Sequence, residues 1–525
     1  MAVPRFYVWT DSRVVQEICT INDTLDFDGM VVHVVMPLSS PVAGKEWIAQ
    51  MRALAIPTPL EWARLDGIAS MYSRKMVRGQ SRWRGELRTM VALAVPVVLS
   101  ELGWMAQAVV DTIMVGKLGP AAIGAVALGN AVYYTPSLFG IGLLLGLDTL
   151  VSHAYGRNDH DDCHRWLAQG VYLACIVTPP LMLLIAAASF GFVKAGITPE
   201  VALPAGSYLR ILNWGTLPLL LYGGARRYLQ GVGQVRVITV TFVLANLLNW
   251  FGNWALIYGR LGFPALGVNG SAISTCVARI AMAAALIGFA WRYERTRGHP
   301  LFRHWAGPSL VKLRGMVRLG APAAGQIVLE VGAWNLATFC AGYLTPVALA
   351  THSIALNYAS ITYMVPLGVS AAAAVSVGHA VGAGDLERAR RAGWLALGLG
   401  TCFMLMAAVV LFMAPRPLIA LYTRDPRVLA VGPSLLWVAA AFQIFDGIQT
   451  VSTGALRGLG ETRIPMFANL VGYWVLGLPL GITLCFVLKW GIYGMWIGLT
   501  LALVVIASIL LLRWRKDSTV KAVNA

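Results

Sequence analysis

Three acidic residues, Glu330, Asp446 and Asp111, lie inside long apolar stretches of the chain. Moving a charged carboxylate to the centre of a bilayer costs at least about 2.5–3.5 kcal/mol on insertion scales, so its presence there indicates a polar cavity or an ion site. Glu330 and Asp446 could bind Na⁺ through their carboxylate oxygens. Alternatively, one of the two could hold a proton, because burial and a neighbouring like charge both favour the neutral acid. A hydrogen-bonded structural acid is the remaining interpretation at each position.

The acids differ in their depth along the apolar stretches. Glu330 is twelve residues from the basic Arg318, which is about 18 Å along a helix and beyond the reach of a snorkelling side chain. Asp446 also lies in the middle of its stretch, whereas Asp111 is near an end and could either line a cavity or reach the interface. Asp148 is near an end as well and is interpreted as structural. We predict that Glu330 and Asp446 couple transport to a cation, with Asp111 as a third candidate.

Amide and aromatic side chains could line the same cavity. Asn249 and Asn253 fall on one face of a helix, and amides in lipid either join helices or line a polar cavity. Aromatic rings attract organic cations through cation–π contacts, although packing is the alternative for each ring. The candidate cavity residues are Asn249, Asn253, Trp104, Phe442, Gln443 and Trp334.

The elements that must hold these residues are membrane-spanning helices. Of the 525 residues, 58% are apolar and 12% are charged, whereas soluble domains carry roughly 25% charged residues. A span in lipid must satisfy its own backbone hydrogen bonds, which favours helices. The predicted fold class is an all-α integral membrane protein of about twelve spans, near residues 90–115, 121–150, 166–195, 203–228, 237–258, 268–291, 317–342, 347–377, 392–415, 430–455, 464–488 and 491–512.

The net charge of +17 reflects basic residues between the spans. They concentrate before the first span, in the central loop, after the eighth span and in the tail. By the positive-inside rule both termini and the central loop are expected in the cytoplasm. Nucleic-acid binding is not expected, because these charges set topology. The seven cysteines form no CxxC pair, so neither a disulfide framework nor a zinc site is expected.

An internal repeat divides the chain into two halves. His153 and Asp159 recur as His379 and Asp385, both at an offset of 226, and the segment 229–236 recurs at 456–463. An offset of six spans gives two six-helix lobes of the same orientation, related by a parallel repeat with a cleft between them. We expect Asp159 and Asp385 to be helix N-caps. For the histidines we expect capping or turn roles rather than a proton relay.

The predicted domain boundaries follow from the spans and the repeat. The lobes occupy residues 87–292 and 317–513, joined by a cytoplasmic linker at 293–316 and followed by a cytoplasmic tail at 514–525. Residues 1–80 contain no adequate span and form an N-terminal extension, unless translation begins at Met71 or Met76.

Residues about 87–515 resemble the multidrug and toxic compound extrusion (MATE) family in its NorM-like branch. The resemblance is carried by 96–119, by 249–254 with Tyr258 and Gly259, by 318–322 with Glu330, and by Asp446 with 455–458. It implies antiport of organic cations, often aromatic drugs and dyes, against Na⁺ or H⁺. It further implies coupling by Glu330 and Asp446, a part for Asp111, and a place for Asn249 and Asn253 in the lining of the N-terminal lobe.

Three residues depart from the family pattern. Phe442 stands where some relatives place a tyrosine, which removes one hydroxyl ligand for Na⁺ and favours H⁺. Arg279 and Glu101 are charges that the family pattern does not explain.

The predicted function is a multidrug efflux antiporter that exports small organic cations in exchange for H⁺ or Na⁺ by alternating access. It is expected in the bacterial inner membrane as a monomer, with lipid as its surroundings and no cofactor beyond the coupling ion. One alternative is a lipid-linked oligosaccharide flippase, which would need basic residues in its cavity. A second is an integral-membrane enzyme, which is disfavoured because the sequence has no HExxH, GxSxG or Walker A pattern.

Overall fold

Helices account for nearly all of the residues that the structure describes, which confirms the predicted fold class. The structure is a computed structural model that describes residues 24–27, 30–33, 59–192, 196–298 and 307–523. Outside these residues lie most of the predicted N-terminal extension, the last residues of the predicted third span, part of the predicted linker and the last two residues of the tail. The chain divides into two units, Met1–Glu86 and Leu87–Ala525.

The first unit contains the one departure from an all-helical chain among the described residues. Strands β1 (Thr24–Phe27) and β2 (Met30–His33) pair antiparallel, with Thr24 opposite His33. The helices are α1 (Pro59–Gly116), α2 (Pro120–Leu143), α3 (Gly146–Gly156), α4 (His160–Ser189), α5 (Pro199–Asn213), α6 (Thr216–Gly231), α7 (Val235–Tyr258), α8 (Val268–Thr296), α9 (Leu310–Gly342), α10 (Pro346–Gly382), α11 (Leu386–Met413), α12 (Pro415–Ala420), α13 (Pro426–Gly458), α14 (Arg463–Asn469), α15 (Leu478–Ile482) and α16 (Ile492–Val523).

Ten of the helical segments are long and apolar enough to cross a membrane, counted over the described residues. The other two of the twelve predicted spans correspond to α9 and to the pair α5–α6. The pair is interrupted at Trp214 and Gly215, which leaves helices of 15 and 16 residues. Helix α9 carries Gln326, Glu330 and Asn335, and these polar residues lower its hydropathy.

The helix ends differ from the predicted span ends. Helix α8 runs to Thr296 and α9 begins at Leu310, so both extend into the predicted linker. Helix α16 continues to Val523 through the predicted tail, and α1 begins at Pro59 within the predicted extension. Apolar composition marks the lipid-embedded part of a helix and not its hydrogen-bonded end, so a helix can extend beyond the span that the sequence predicts.

Local sequence signals explain several helix starts. The Asp159 carboxylate accepts a hydrogen bond from the backbone N–H of Asp162 at 2.9 Å, and Asp385 accepts one from Arg388 at 2.8 Å. Both predicted N-caps are thereby confirmed, and they occupy equivalent places in the two halves.

The two halves of the repeat form two lobes, each with its own apolar core. Large buried residues of the first lobe include Leu209 and Tyr228, and those of the second include Trp496. The lobes approach each other closely at glycines, as membrane helices do. A Cβ on Gly142 would lie 2.5 Å from the Ala324 Cα, and one on Gly320 would overlap the Leu143 carbonyl oxygen.

Polar contacts between the lobes cluster at one end of the bundle, which we call the closed end. His153 Nε2 donates to the Gly458 carbonyl at 2.8 Å, and His379 Nε2 donates to the Gly231 carbonyl at 2.6 Å. Since a carbonyl oxygen only accepts, both imidazoles carry hydrogen on Nε2. Gly231 and Gly458 end α6 and α13. The histidines therefore have the expected capping role, but each caps a helix of the opposite lobe.

Candidate functional site

A cavity of about 490 Å³ lies between the two lobes. The first lobe contributes residues of α1, α2 and α6, and the second contributes residues of α9, α10 and α13. The volume falls within the roughly 300–1,000 Å³ range of drug-sized sites. Aromatic side chains supply a large part of the wall, namely Trp104, Tyr222, Trp334, Tyr363 and Phe442.

The structure brings Glu330 and Asp446 together in this cavity. Glu330 projects from α9 and Asp446 from α13, and their charges are close enough to interact. Asp446 is only 3% exposed. Among the described residues, no Lys or Arg forms an ion pair with either carboxylate. This half of the cavity therefore carries uncompensated acidic groups, as predicted from their depth in the apolar stretches.

Amide side chains hold Glu330 in place. Gln449 Nε2 and Asn469 Nδ2 each lie 3.4 Å from Glu330 Oε2, and the two amides are also 3.4 Å from each other. The Tyr473 hydroxyl donates to Gln449 Oε1 at 3.4 Å. Both of these long contacts go to Oε2, and the residues that the structure describes donate no hydrogen bond to the other carboxylate oxygen of Glu330.

An irregular helical segment positions this network. Directly after Asn469 the chain forms wide π-type turns over Leu470–Gly477, a distortion that is frequent at functional sites. Trp474 in this segment donates through its indole N–H to the Leu329 carbonyl at 2.9 Å. That bond fixes the segment against α9, one residue before Glu330.

The cavity has a basic region toward the closed end. Arg226 forms an ion pair with Glu101, which accounts for the unexpected acid of the first span. Asp148 lies 3.4 Å from Arg227 Nη1 and 3.6 Å from Arg457 Nε, a residue of the opposite lobe. The Asp148 side chain is 1% exposed, so the structural role predicted for it is that of a buried counter-ion between lobes.

The structure separates the other predicted residues into three groups. Trp104, Trp334 and Phe442 line the cavity, and Trp334 meets Phe442 edge-on with centroids 5.2 Å apart. Gln443 does not line it: its side chain is buried and donates to the Thr362 hydroxyl at 2.7 Å. Asn249 and Asn253 are buried inside the first lobe and belong to the surroundings of Asp111.

Asp111 lies in a second, much smaller cavity of about 30 Å³, inside the first lobe. Its carboxylate accepts a hydrogen bond from Asn253 Nδ2 at 2.6 Å, and the same amide group lies 3.3 Å from Asn249 Oδ1. Trp104 lines both cavities. The three predicted coupling acids thus occupy two sites and not one.

Several site residues were not identified from the sequence. Gln449 follows Asp446 by three residues and therefore shares its helix face. Asn469 is a polar residue that interrupts an apolar stretch. Both residues could therefore have been predicted from the sequence. The cavity arginines were harder to find, because basic residues near span ends are expected to reach the membrane surface.

The groups present suit a small hard cation or a proton. Among the residues that the structure describes, no cluster of three or more His, Cys, Asp or Glu is found. A bound Na⁺ would therefore combine the carboxylates of Glu330 and Asp446 with neutral oxygens such as those of Gln449 and Thr450, since hard cations take oxygen ligands.

Comparison with known proteins gives consistent matches along most of the chain. A family model described as MatE matches residues 96–255 and 322–483, one segment in each lobe. The probable multidrug resistance protein NorM of Mesorhizobium japonicum is 36% identical over 446 residues, covering 83% of this chain and 96% of the relative. The multidrug resistance protein NorM of Burkholderia vietnamiensis is 36% identical over 432 residues, covering 81% and 92%.

Solved structures share the fold. The crystal structure of the eukaryotic MATE transporter AtDTX14 superposes with a TM-score of 0.74 at 23% identity, covering 84% of this chain and 98% of that one. A crystal structure of MATE in complex with MaD3S gives a TM-score of 0.76 at 20% identity, covering 83% and 97%.

Two repeated helical lobes that enclose a cavity in a multi-pass membrane protein define a transporter. The chain belongs to the MatE family, and its relatives identify it as a transporter of the NorM type. The resemblance seen in the sequence is thereby confirmed.

Proposed function

We propose that this protein is a multidrug efflux antiporter that exports organic cations in exchange for H⁺ or Na⁺. The observation that carries the proposal is the pair of acids, Glu330 and Asp446, which line an aromatic cavity between the lobes and form no ion pair with any basic residue that the structure describes. Trp334 and Phe442 stand beside the acids, where they could contact the face of a flat cation. The curated relatives from two organisms are named as multidrug resistance proteins, which agrees with such a substrate range.

Antiport follows if the coupling cation and the drug compete for the same negative charge. A drug bound near Glu330 and Asp446 would be favoured when they are ionised and disfavoured when they hold H⁺ or Na⁺. Each ligand shifts the balance between the inward-facing and the outward-facing state only as far as its affinities for these two states differ. Both coupling ions stay in the proposal: Phe442 offers no hydroxyl ligand, whereas Tyr363 on the same cavity wall does.

We further propose that the closed end faces the cytoplasm. Basic residues at the starts of α9 and α11 lie at this end, where Lys312 bonds Asp162 and Arg388 follows the Asp385 cap. The positive-inside rule places such residues in the cytoplasm. The termini would then be cytoplasmic, the protein would lie in the bacterial inner membrane, and the structure would represent an outward-facing state. A monomer in lipid suffices, because one chain supplies the whole cavity, and no cofactor beyond the coupling ion is proposed.

One observation favours the flippase alternative. Arg226, Arg227 and Arg457 line the cavity, and basic residues are what an anionic lipid headgroup would require. However, Glu101 and Asp148 pair with them, so most of this positive charge is compensated within the protein. The described residues that line the cavity include no His or Cys, so they offer little in favour of the enzyme alternative.

Transport in proteoliposomes tests the proposal. Na⁺ and proton gradients are imposed separately, and a fluorescent cation such as ethidium is followed. The variants Glu330→Gln and Asp446→Asn are each expected to abolish gradient-driven efflux while the protein still inserts, because they remove the negative charge for which ion and drug compete. Asp425→Asn is the matched control, since Asp425 is a helix cap paired with Arg427 outside the cavity. Unchanged efflux in both cavity variants would refute the proposal, and gradient-independent movement of a lipid-linked oligosaccharide would favour the flippase.

A further inference from the structure

A buried arginine lines the small cavity in the first lobe together with Asp111. Arg279 of α8 and Asp111 of α1 both line this cavity, and the charge of Arg279 acts on Asp111. The volume of about 30 Å³ has room for about one water molecule. Neutral and weakly polar groups complete its walls, including Tyr134, Tyr208 and Thr275.

Arg279 is held in place by Tyr133 of α2, which in turn contacts the start of α6. Its Nη1 donates to the Tyr133 hydroxyl at 2.6 Å, and its guanidinium carbon lies 4.8 Å from the centre of that ring. The Tyr133 hydroxyl is in turn 3.3 Å from the Thr216 hydroxyl at the start of α6. Arg279 is 5% exposed, and so its charge is a fixed part of the lobe.

The break between α5 and α6 provides the space for this side chain. A Cβ on Gly215 would lie 3.1 Å from Arg279 Nη1 and 3.0 Å from Cys276 Sγ, closer than side chains normally approach. The interrupted helix and the buried charge therefore fit each other.

The two acidic sites differ in their charge balance. The small cavity contains one carboxylate, Asp111, and one guanidinium, Arg279, which together are neutral. The three arginines of the large cavity, Arg226, Arg227 and Arg457, pair with Glu101 and Asp148. Among the described residues, no basic side chain forms an ion pair with Glu330 or Asp446, which line the same cavity. A transported cation therefore gains electrostatic attraction in the large cavity, whereas in the small one it meets a positive charge that is already in place.

We propose that Arg279 is a permanent, tethered counter-cation for Asp111. The charge of Arg279 takes the place of a coupling ion at Asp111, and so cation exchange is confined to Glu330 and Asp446. Arg279 is then a specificity-determining residue: it reduces the number of coupling cations by removing the first lobe as a site. The inference rests on the proposed antiport, and it reverses the coupling role that the family resemblance implied for Asp111.

The number of cations exchanged per drug molecule tests this inference. This number is obtained in proteoliposomes from the ion gradient that just balances an imposed ethidium gradient, at which the net flux of ethidium is zero. This ratio does not depend on how much protein is active, and a merely structural defect leaves it unchanged. Asp111→Asn is expected to keep the wild-type ratio, with slower efflux because Arg279 is left uncompensated.

Arg279→Gln is expected to raise the ratio by one, because Asp111 then has no counter-charge and can take up a cation. Two control variants are expected to give the wild-type ratio. Arg279→Lys keeps the charge, and the double variant Asp111→Asn/Arg279→Gln keeps the cavity neutral. Asp111→Asn is nearly isosteric and decides the question even if Arg279→Gln fails to insert.

A ratio lowered by one in Asp111→Asn would overturn the inference, because Asp111 would then be a coupling site. An unchanged ratio in Arg279→Gln would do so as well. Failure of the proposed antiport looks different: efflux by Glu330→Gln and Asp446→Asn would stay at the wild-type rate, and no gradient would balance the flux in the wild type.

Discussion

The pair of reciprocal histidine bonds at the closed end should control how often the lobes separate there. His153 and His379 each donate to a carbonyl of the opposite lobe, at 2.8 and 2.6 Å. Replacing either by Phe removes the donor and keeps a flat ring, which matters for His379 because its ring lies 5.0 Å from that of Tyr155. The two bonds are separate, so their effects should add.

The magnitude follows from the cost of leaving a buried acceptor without a donor, about 1–3 kcal/mol. In the closed state of a variant Phe cannot donate to the carbonyl, whereas water satisfies the same carbonyl once the lobes separate. One substitution should therefore raise the ratio of separated to closed molecules about 5- to 150-fold. The double variant should raise it by the product of the two single effects.

The fraction of molecules with separated lobes can be measured from the distance between spin labels attached at Arg157 and Arg390. Both are exposed positions at this end, on opposite lobes. The labels are placed in a protein without its native cysteines and reconstituted in lipid nanodiscs. A matched control is His352→Phe. His352 is bonded to Trp496 and Thr338 within one lobe, so its loss should lower stability without separating the lobes. If the double variant gives the same distance distribution as the wild type, the histidine bonds do not contribute to closure and the reasoning is wrong.

Two further predictions concern stability. Gly320→Ala should destabilise the protein by about 1–3 kcal/mol, because the new Cβ would overlap the Leu143 carbonyl oxygen. Thermal unfolding in detergent measures this loss of stability. The control is Gly398→Ala, whose Cβ meets nothing within 4 Å and which should leave the unfolding temperature unchanged or slightly raised. Asp148→Asn should lower the free energy of unfolding by about 3–5 kcal/mol, because it leaves two buried arginines uncompensated. Glu387→Gln, at an exposed ion pair, should lower it by at most about 1 kcal/mol. Equal unfolding temperatures for the two variants would contradict the buried-pair interpretation.

Much of the site could be predicted because charge is rare in an apolar chain. Glu330 and Asp446 stood out by their depth, and both line the cavity. Gln443 was a candidate for the same wall as Phe442, but its side chain is buried and bonded to Thr362, since adjacent residues point to different faces of a helix. A sequence shows which residues are polar, but not toward which neighbour each face of a helix is turned.

The sequence by itself determined that the chain crosses the membrane as helices, that it is a duplicated bundle, and that a few acids lie at depth. These properties depend on composition and periodicity, which are local. Only the tertiary structure decided the pairing of charges: that Arg226 compensates Glu101, that Asp148 bridges the lobes, and that Arg279 shares a small cavity with Asp111. It also showed that, within the described part of the chain, no basic side chain pairs with Glu330 or Asp446. Electrostatic energy depends on distances between residues that are far apart in the chain, and helix packing alone sets those distances.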